Sequence, residues 1–128
     1  MSNVFKKIIN LDVKPAHSFD MNSAVYETLI GDGNMPMSDD GAMALAVMVD
    51  YGVMAKLLLE ASIISEEYIE DMEPSKLQLM HIQHSMDLDI SEAAIRELDY
   101  DPEMARSLLG DFTDATLAGE NWIYYWVG

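Results

Sequence analysis

The chain has 128 residues, half of them apolar and none of them cysteine, and its 23 acids against 7 bases give a formal net charge of −16. The length suits a single domain over residues 1–128, the apolar half can close a core, and the missing cysteines exclude disulfides, thiolate catalysis and cysteine-bound zinc, as fits a cytoplasmic protein. The charge far exceeds the magnitude of about 2–8 suited to a small soluble domain; it repels nucleic acid and anionic membranes and makes a basic protein surface the natural complement.

In chain order, the segment from Met1 to Lys7 lacks the apolar run of a secretion signal. Lys7, Ile9, Leu11 and Val13 then alternate with polar neighbours, the period of a strand. Asn22 caps a helix through Ile30, closed by Gly31. The loop Gly31-Asp32-Gly33-Asn34-Met35-Pro36 begins like a calcium loop, but counted from Asp32 it has Pro36 at position five and Met43 at position twelve, so the ligand set fails. Ser38, followed by Asp39 and Asp40, offers a hydroxyl cap and two first-turn acids, and predicts a helix running into Tyr51-Gly52, where it either bends or stops before Val53–Ala61 continues. From Gly41 to Leu59 only Asp50 and Lys56 are charged. A mid-bilayer Asp costs about 2.5–3.5 kcal/mol, so this stretch reads as buried core rather than a membrane span.

Ser65 caps a short acidic helix to Met72, and Pro74 sets the first turn of another to about Met86. Ser91 caps a further short helix, and Asp101-Pro102 opens the last, through Leu109 to a stop at Gly110. Trp122–Val127 is aromatic and β-branched. The two termini either pair as a small two-stranded β ribbon or the chain ends in a helical turn. The expected fold is therefore mainly α, a compact bundle of five to six short helices with room for that ribbon.

The charge is concentrated in the body: residues 1–37 carry a net −1 and residues 38–128 a net −15. Glu60, Glu66, Glu67, Glu70, Asp71 and Glu73 follow one another with no base between Lys56 and Lys76. Glu66/Glu70 and Glu67/Asp71 are like-charged i,i+4 neighbours that destabilise a helix by a few tenths of a kcal/mol each. Ile64, Tyr68, Ile69 and Met72 fall on the opposite side, so the acids face water. A second set comprises Asp87, Asp89, Glu92, Glu97, Asp99, Asp101 and Glu103, of which Asp101 has a capping role. For any one residue the plain explanation is a solvated face. The whole set, with so few bases, exceeds what solubility requires.

Other patterns carry less. His81 and His84 lie on the helix after Pro74, where Leu77, Met80, His81, His84 and Leu88 form one stripe and Leu79, Ile82 and Met86 another, as in a helix sandwiched between two apolar layers. The histidines read as core or interface residues rather than metal ligands, and neither a metal nor a cofactor is expected. Residues 91–109 have the spacing of a helix-turn-helix, but the second helix begins with Glu103 and offers only Arg106, which reads as packing. Trp122, Tyr124, Tyr125 and Trp126 place 4 of the 11 aromatics in the last seven residues. Leu79, Ile82, Met86, Trp122 and Trp126 are the candidate interface anchors, and Met35 and Met37 could join them.

No Gly-rich phosphate loop, Gly-x-Ser-x-Gly elbow or His-Glu-x-x-His is present, so an enzyme is not expected. The leading expectation is a small acidic inhibitor or adaptor whose carboxylate-rich helical face (Glu60, Glu66, Glu67, Glu70, Asp71, Glu73, Asp87, Asp89, Glu92, Asp99 and Glu103) occupies a basic surface of a nucleic-acid-handling complex. In this overall character the chain resembles the small acidic proteins with which bacteriophages block restriction or CRISPR complexes by mimicking DNA; the likeness is one of composition. The competing expectation is a homo-oligomeric assembly protein, a homodimer in the simplest case, whose charge serves solubility alone.

Overall fold

A computed structural model describes residues 5–9, 12–13, 24–30, 37–38 and 45–127, and the side-chain surroundings of 24–30 and 48–125. Its elements are β1 (Phe5–Ile9), β2 (Asp12–Val13), α1 (Ala24–Ile30), β3 (Met37–Ser38), β4 (Leu45–Asp50), α2 (Tyr51–Glu60), α3 (Glu66–Asp71), α4 (Lys76–Ser85), α5 (Glu92–Tyr100), α6 (Pro102–Ala118) and β5 (Trp122–Val127). The architecture is mainly helical, with six helices among the described residues.

The termini do pair: β1 runs antiparallel to β5, with Phe5 opposite Val127 and Lys7 opposite Tyr125. This pair is the middle of a larger sheet. The order is β2-β1-β5-β4-β3, and β5 pairs along its whole length with β4, from Leu45 opposite Val127 to Asp50 opposite Trp122.

That sheet corrects the expected helix from Ser38. Ser38 lies in β3, and Leu45–Asp50 is a strand. The helix begins at Asp50, whose extended backbone (φ −66°, ψ 131°) and carboxylate, accepting from the Gly52 amide at 2.7 Å, form the N-cap of α2. The acid inside the apolar run, whose charge argued against a membrane span, is thus the point where strand gives way to helix. Gly41–Leu59 is core as expected, but it is a strand followed by a helix. The Asn22 cap, the Gly31 stop and the Asp32 loop lie outside the described residues.

Of four other boundaries, two fall as expected and two do not. Ser65 and Ser91 cap α3 and α5 as expected, their hydroxyls accepting from the amides of Tyr68 and Ala94 at 3.1 Å. α4 starts at Ser75, not at Pro74, through a capping box in which Ser75 and Gln78 bond each other's backbone. α6 does not stop at Gly110, because Leu108, Phe112, Ala115 and Thr116 continue a single buried face past it. It ends at Gly119 in the left-handed conformation (φ 70°), where the Glu120 amide donates to the Ala115 carbonyl at 2.9 Å.

α2 sits at the centre. Tyr51, Met54, Ala55, Leu57 and Leu58 have no exposure at all, and the helix packs against α4, α6, α1 and β4. Tyr51 stacks on Phe112 of α6 with ring centroids 4.7 Å apart, and its hydroxyl pairs with that of Thr116 at 2.7 Å. Since Thr116 donates onward to the Phe112 carbonyl, Tyr51 supplies the proton between the two hydroxyls.

Two helix ends use left-handed residues that are not glycine: Ser62 (φ 59°) after α2 and Glu73 (φ 51°) after α3. At Ser62 both bonds of a Schellman motif are present, from the Ser62 amide to Leu59 O at 3.0 Å and from the Ile63 amide to Leu58 O at 2.9 Å. Side chains are disfavoured in this conformation. Ser62→Gly and Glu73→Gly are each expected to raise stability by about 0.5–1 kcal/mol, read as a higher urea midpoint at unchanged slope. A lower midpoint for both would mean that neither residue holds this conformation in solution.

Candidate functional site

The structure divides the acids into two populations. Four are part of the fold. Asp50 caps α2, and Asp101 caps α6 by accepting from the Met104 amide at 3.0 Å. Glu97 of α5 accepts from the Val25 amide at 3.0 Å and so serves the N-terminus of α1 across 72 residues of sequence. Asp111, only 2 % exposed, accepts from the Tyr125 hydroxyl at 2.7 Å. Burial pushes the Tyr125 phenol well above its usual value, and the charge and hydrogen bond of Asp111 push it further, because both favour the protonated hydroxyl.

All eleven acids expected to meet a partner belong to the other population: Glu60, Glu66, Glu67, Glu70, Asp71, Glu73, Asp87, Asp89, Glu92, Asp99 and Glu103 are exposed. Two of them face a base, Glu60 with Lys56 at 3.5 Å and Glu92 with Arg96 at 3.7 Å. Both are i,i+4 surface pairs, the class that contributes about 0.3–0.5 kcal/mol. α3 carries the densest group because its inward side is committed elsewhere. Ile69 is buried, and the Tyr68 hydroxyl pairs with that of Thr113 at 2.9 Å, tying α3 to α6. Glu66, Glu67, Glu70 and Asp71 are left facing water, as their spacing predicts.

The apolar anchors fare unevenly. Leu79 and Met86 are 48 % and 37 % exposed. Ile82 is 7 % exposed and belongs to the core, so it is not an interface anchor. Trp122 is half-buried, with the His81 ring edge-on to it at 5.7 Å, and the Trp126 side chain lies outside the described residues. β5 alternates as a strand should, with Ile123 and Tyr125 buried and Tyr124 exposed.

The expected sandwich of α4 between two apolar layers is also corrected. Its buried face is mostly polar: Gln78 has no exposure and Ser85 4 %, beside Ile82 at 7 %, while Leu77 and Met80, and Leu88 just beyond the helix, face solvent. The reason is that Gln78 donates to the carbonyls of Ala115 and Glu120 at 2.9 and 2.8 Å, and His81 Nδ1 lies 3.1 Å from Asp50 Oδ1. Hydrogen bonding to the end of α6 and to the α2 cap, together with the buried Ile82, orients this helix.

His84 is exposed and His81 is held in the Asp50 contact. No cluster of three or more His, Asp or Glu side chains with metal-holding geometry occurs among the described residues. An open depression is lined by Leu59, Ser62, Ile63, Ile64, Ser65 and Tyr68, none of them a base or a carboxylate. No described helix is long and apolar enough to cross a membrane. Comparison with protein-family models, with curated proteins and with solved structures finds no match to this chain, so its function rests on its own residues.

Proposed function

We propose that this chain is a cytoplasmic, non-catalytic binding protein, an inhibitor or adaptor that occupies a basic surface on a nucleic-acid-handling complex as a mimic of nucleic acid. The observation that carries this reading is the separation of the acids. Those the fold uses are engaged by amides and hydroxyls, whereas nine of the eleven candidate carboxylates stand exposed with no base beside them among the described residues.

The charge density also suits the role. Glu66, Glu67, Glu70 and Asp71 lie within six residues of helix, roughly one negative charge per 2 Å of axis at 1.5 Å rise per residue. Duplex DNA presents one per about 1.7 Å. A groove lined with Arg and Lys would be attracted to such a helix over a Debye length, about 8 Å at physiological salt, and association would be fast and salt-sensitive. The same density explains why the chain would not bind nucleic acid itself.

The test is capture from host lysate by the wild type and by a variant carrying Glu66→Gln, Glu67→Gln, Glu70→Gln and Asp71→Asn, at low and moderate salt. The wild type should retain a basic nucleic-acid-binding complex that added DNA or RNA displaces. The variant should bind it at least tenfold more weakly while keeping its helical circular dichroism, since neutralisation removes i,i+4 repulsion from α3. Equal capture by both proteins would sink the mimic reading.

A further inference from the structure

α4 is inverted relative to an ordinary amphipathic helix, and its outward face has a symmetry of its own. Leu77, Leu79, Met80 and Met86 are 50, 48, 52 and 37 % exposed. α4 is also the only described helix that contains no carboxylate. At about 100° per residue, Lys76, Met80, Gln83 and Asp87 lie opposite the buried Gln78 and Ser85. Leu77 and His84 form one shoulder of that face, and Leu79 and Met86 the other.

We propose that this face docks on the same face of a second copy of the chain, the two α4 helices crossing antiparallel about a twofold axis level with His81 and Ile82. In that register Lys76 meets Asp87 of the other copy, Leu77 meets His84, Leu79 meets Met86, and Met80 meets Gln83. Each contact occurs twice, as an isologous interface requires. Charge complementarity selects this occupant. Lys76 and Asp87 are both exposed, and neither has an ion-pair partner among the described residues. Two bodies of charge −16 repel most where carboxylates meet. α4 is where the carboxylates stop, and its one lysine lies opposite an acid only in the antiparallel arrangement. The pairing also sets the helix dipoles head to tail. One helix per copy buries less than the roughly 1,200 Å² of a standard interface, so the dimer should half-dissociate at micromolar protein.

This inference does not depend on the proposed target, because its test uses the purified full-length chain alone. Sedimentation velocity across about 1 µM to 1 mM protein, near 0.15 M salt, should show the 14.3 kDa monomer converting to a species of twice that mass. Lys76→Asp and Asp87→Lys should each weaken the dimer at least tenfold by placing like charges opposite one another. The double exchange should restore it. Both substitutions complement the dipole of α4, an acid in its first turn and a base at its end, so the variants stay folded. A wild type that remains monomeric to 1 mM would overturn the proposal, as would single variants that dimerise like the wild type.

Discussion

Gly52→Ala is expected to destabilise the protein by about 3 kcal/mol or more, a large share of the roughly 5–15 kcal/mol that holds a domain folded. Gly52 lies in the first turn of α2, where that helix passes against α4. A Cβ built on it runs into the backbone carbonyl of His81 and comes within 2.6 Å of Ser85 Oγ. The hydroxyl can rotate away, but the carbonyl belongs to the helix and can yield only if α4 as a whole moves outward. Such a movement would break the His81–Asp50 contact and pull Gln78 from the end of α6. Gly110 supplies an internal control of opposite sign. A Cβ there meets nothing within 4 Å, so Gly110→Ala should gain about 0.5–1 kcal/mol from helix propensity alone. Urea unfolding of both variants checks the pair; a Gly52→Ala protein within 1 kcal/mol of wild type would mean that α2 and α4 are not this close.

Gln78→Leu should cost about 2–4 kcal/mol and lower the melting temperature by roughly 10 °C. The two side chains are similar in size, so the loss is of hydrogen bonds rather than volume. Gln78 is fully buried; its Oε1 accepts from the Ser75 amide at 2.8 Å and its Nε2 donates to Ala115 O and Glu120 O. Ala115 O keeps its bond from the Glu120 amide, and Glu120 O loses most. Gln78→Glu separates the causes. It preserves the acceptor for Ser75 but sets a carboxylate oxygen against two carbonyls, so it should be worse than leucine. Thermal unfolding of both decides the matter, and a glutamate variant as stable as wild type would remove the hydrogen-bond account.

Much of this architecture is legible where the determinant is local. Ser65, Ser91 and Asp101 cap the helices their spacing predicts, and of the two readings open for the termini, a ribbon or a final helical turn, the ribbon forms. The failures come where a long-range partner decides. Leu45–Asp50 has the composition of a buried helix as much as of a strand, and only pairing with Trp122–Val127 settles it. Gly110 looks like a stop, yet Phe112, Ala115 and Thr116 go on meeting the core and carry α6 past it. Gln78 and Ser85 belong to neither apolar stripe read on α4, yet both are buried, Gln78 through two carbonyls at the far end of the chain. The acidic surface was easier, since exposure of Glu66, Glu67, Glu70 and Asp71 follows from the spacing of Ile64, Tyr68, Ile69 and Met72. Even so, nothing near Glu97 marks it as a cap for Val25.

The sheet order has a consequence for how the protein is made. Its central strand, Trp122–Val127, is the last of its five strands to be synthesised. Until the ribosome has released that segment, Phe5–Ile9 and Leu45–Asp50 each lack the neighbour between them, and each exposes an open edge capable of recruiting another strand. The helices can form during translation from nearby residues, but the sheet closes only afterwards, through contacts that span almost the whole sequence. Such closure is slow compared with helix formation. The strong negative charge, spread over the chain while those edges are open, would hold nascent copies apart during that interval.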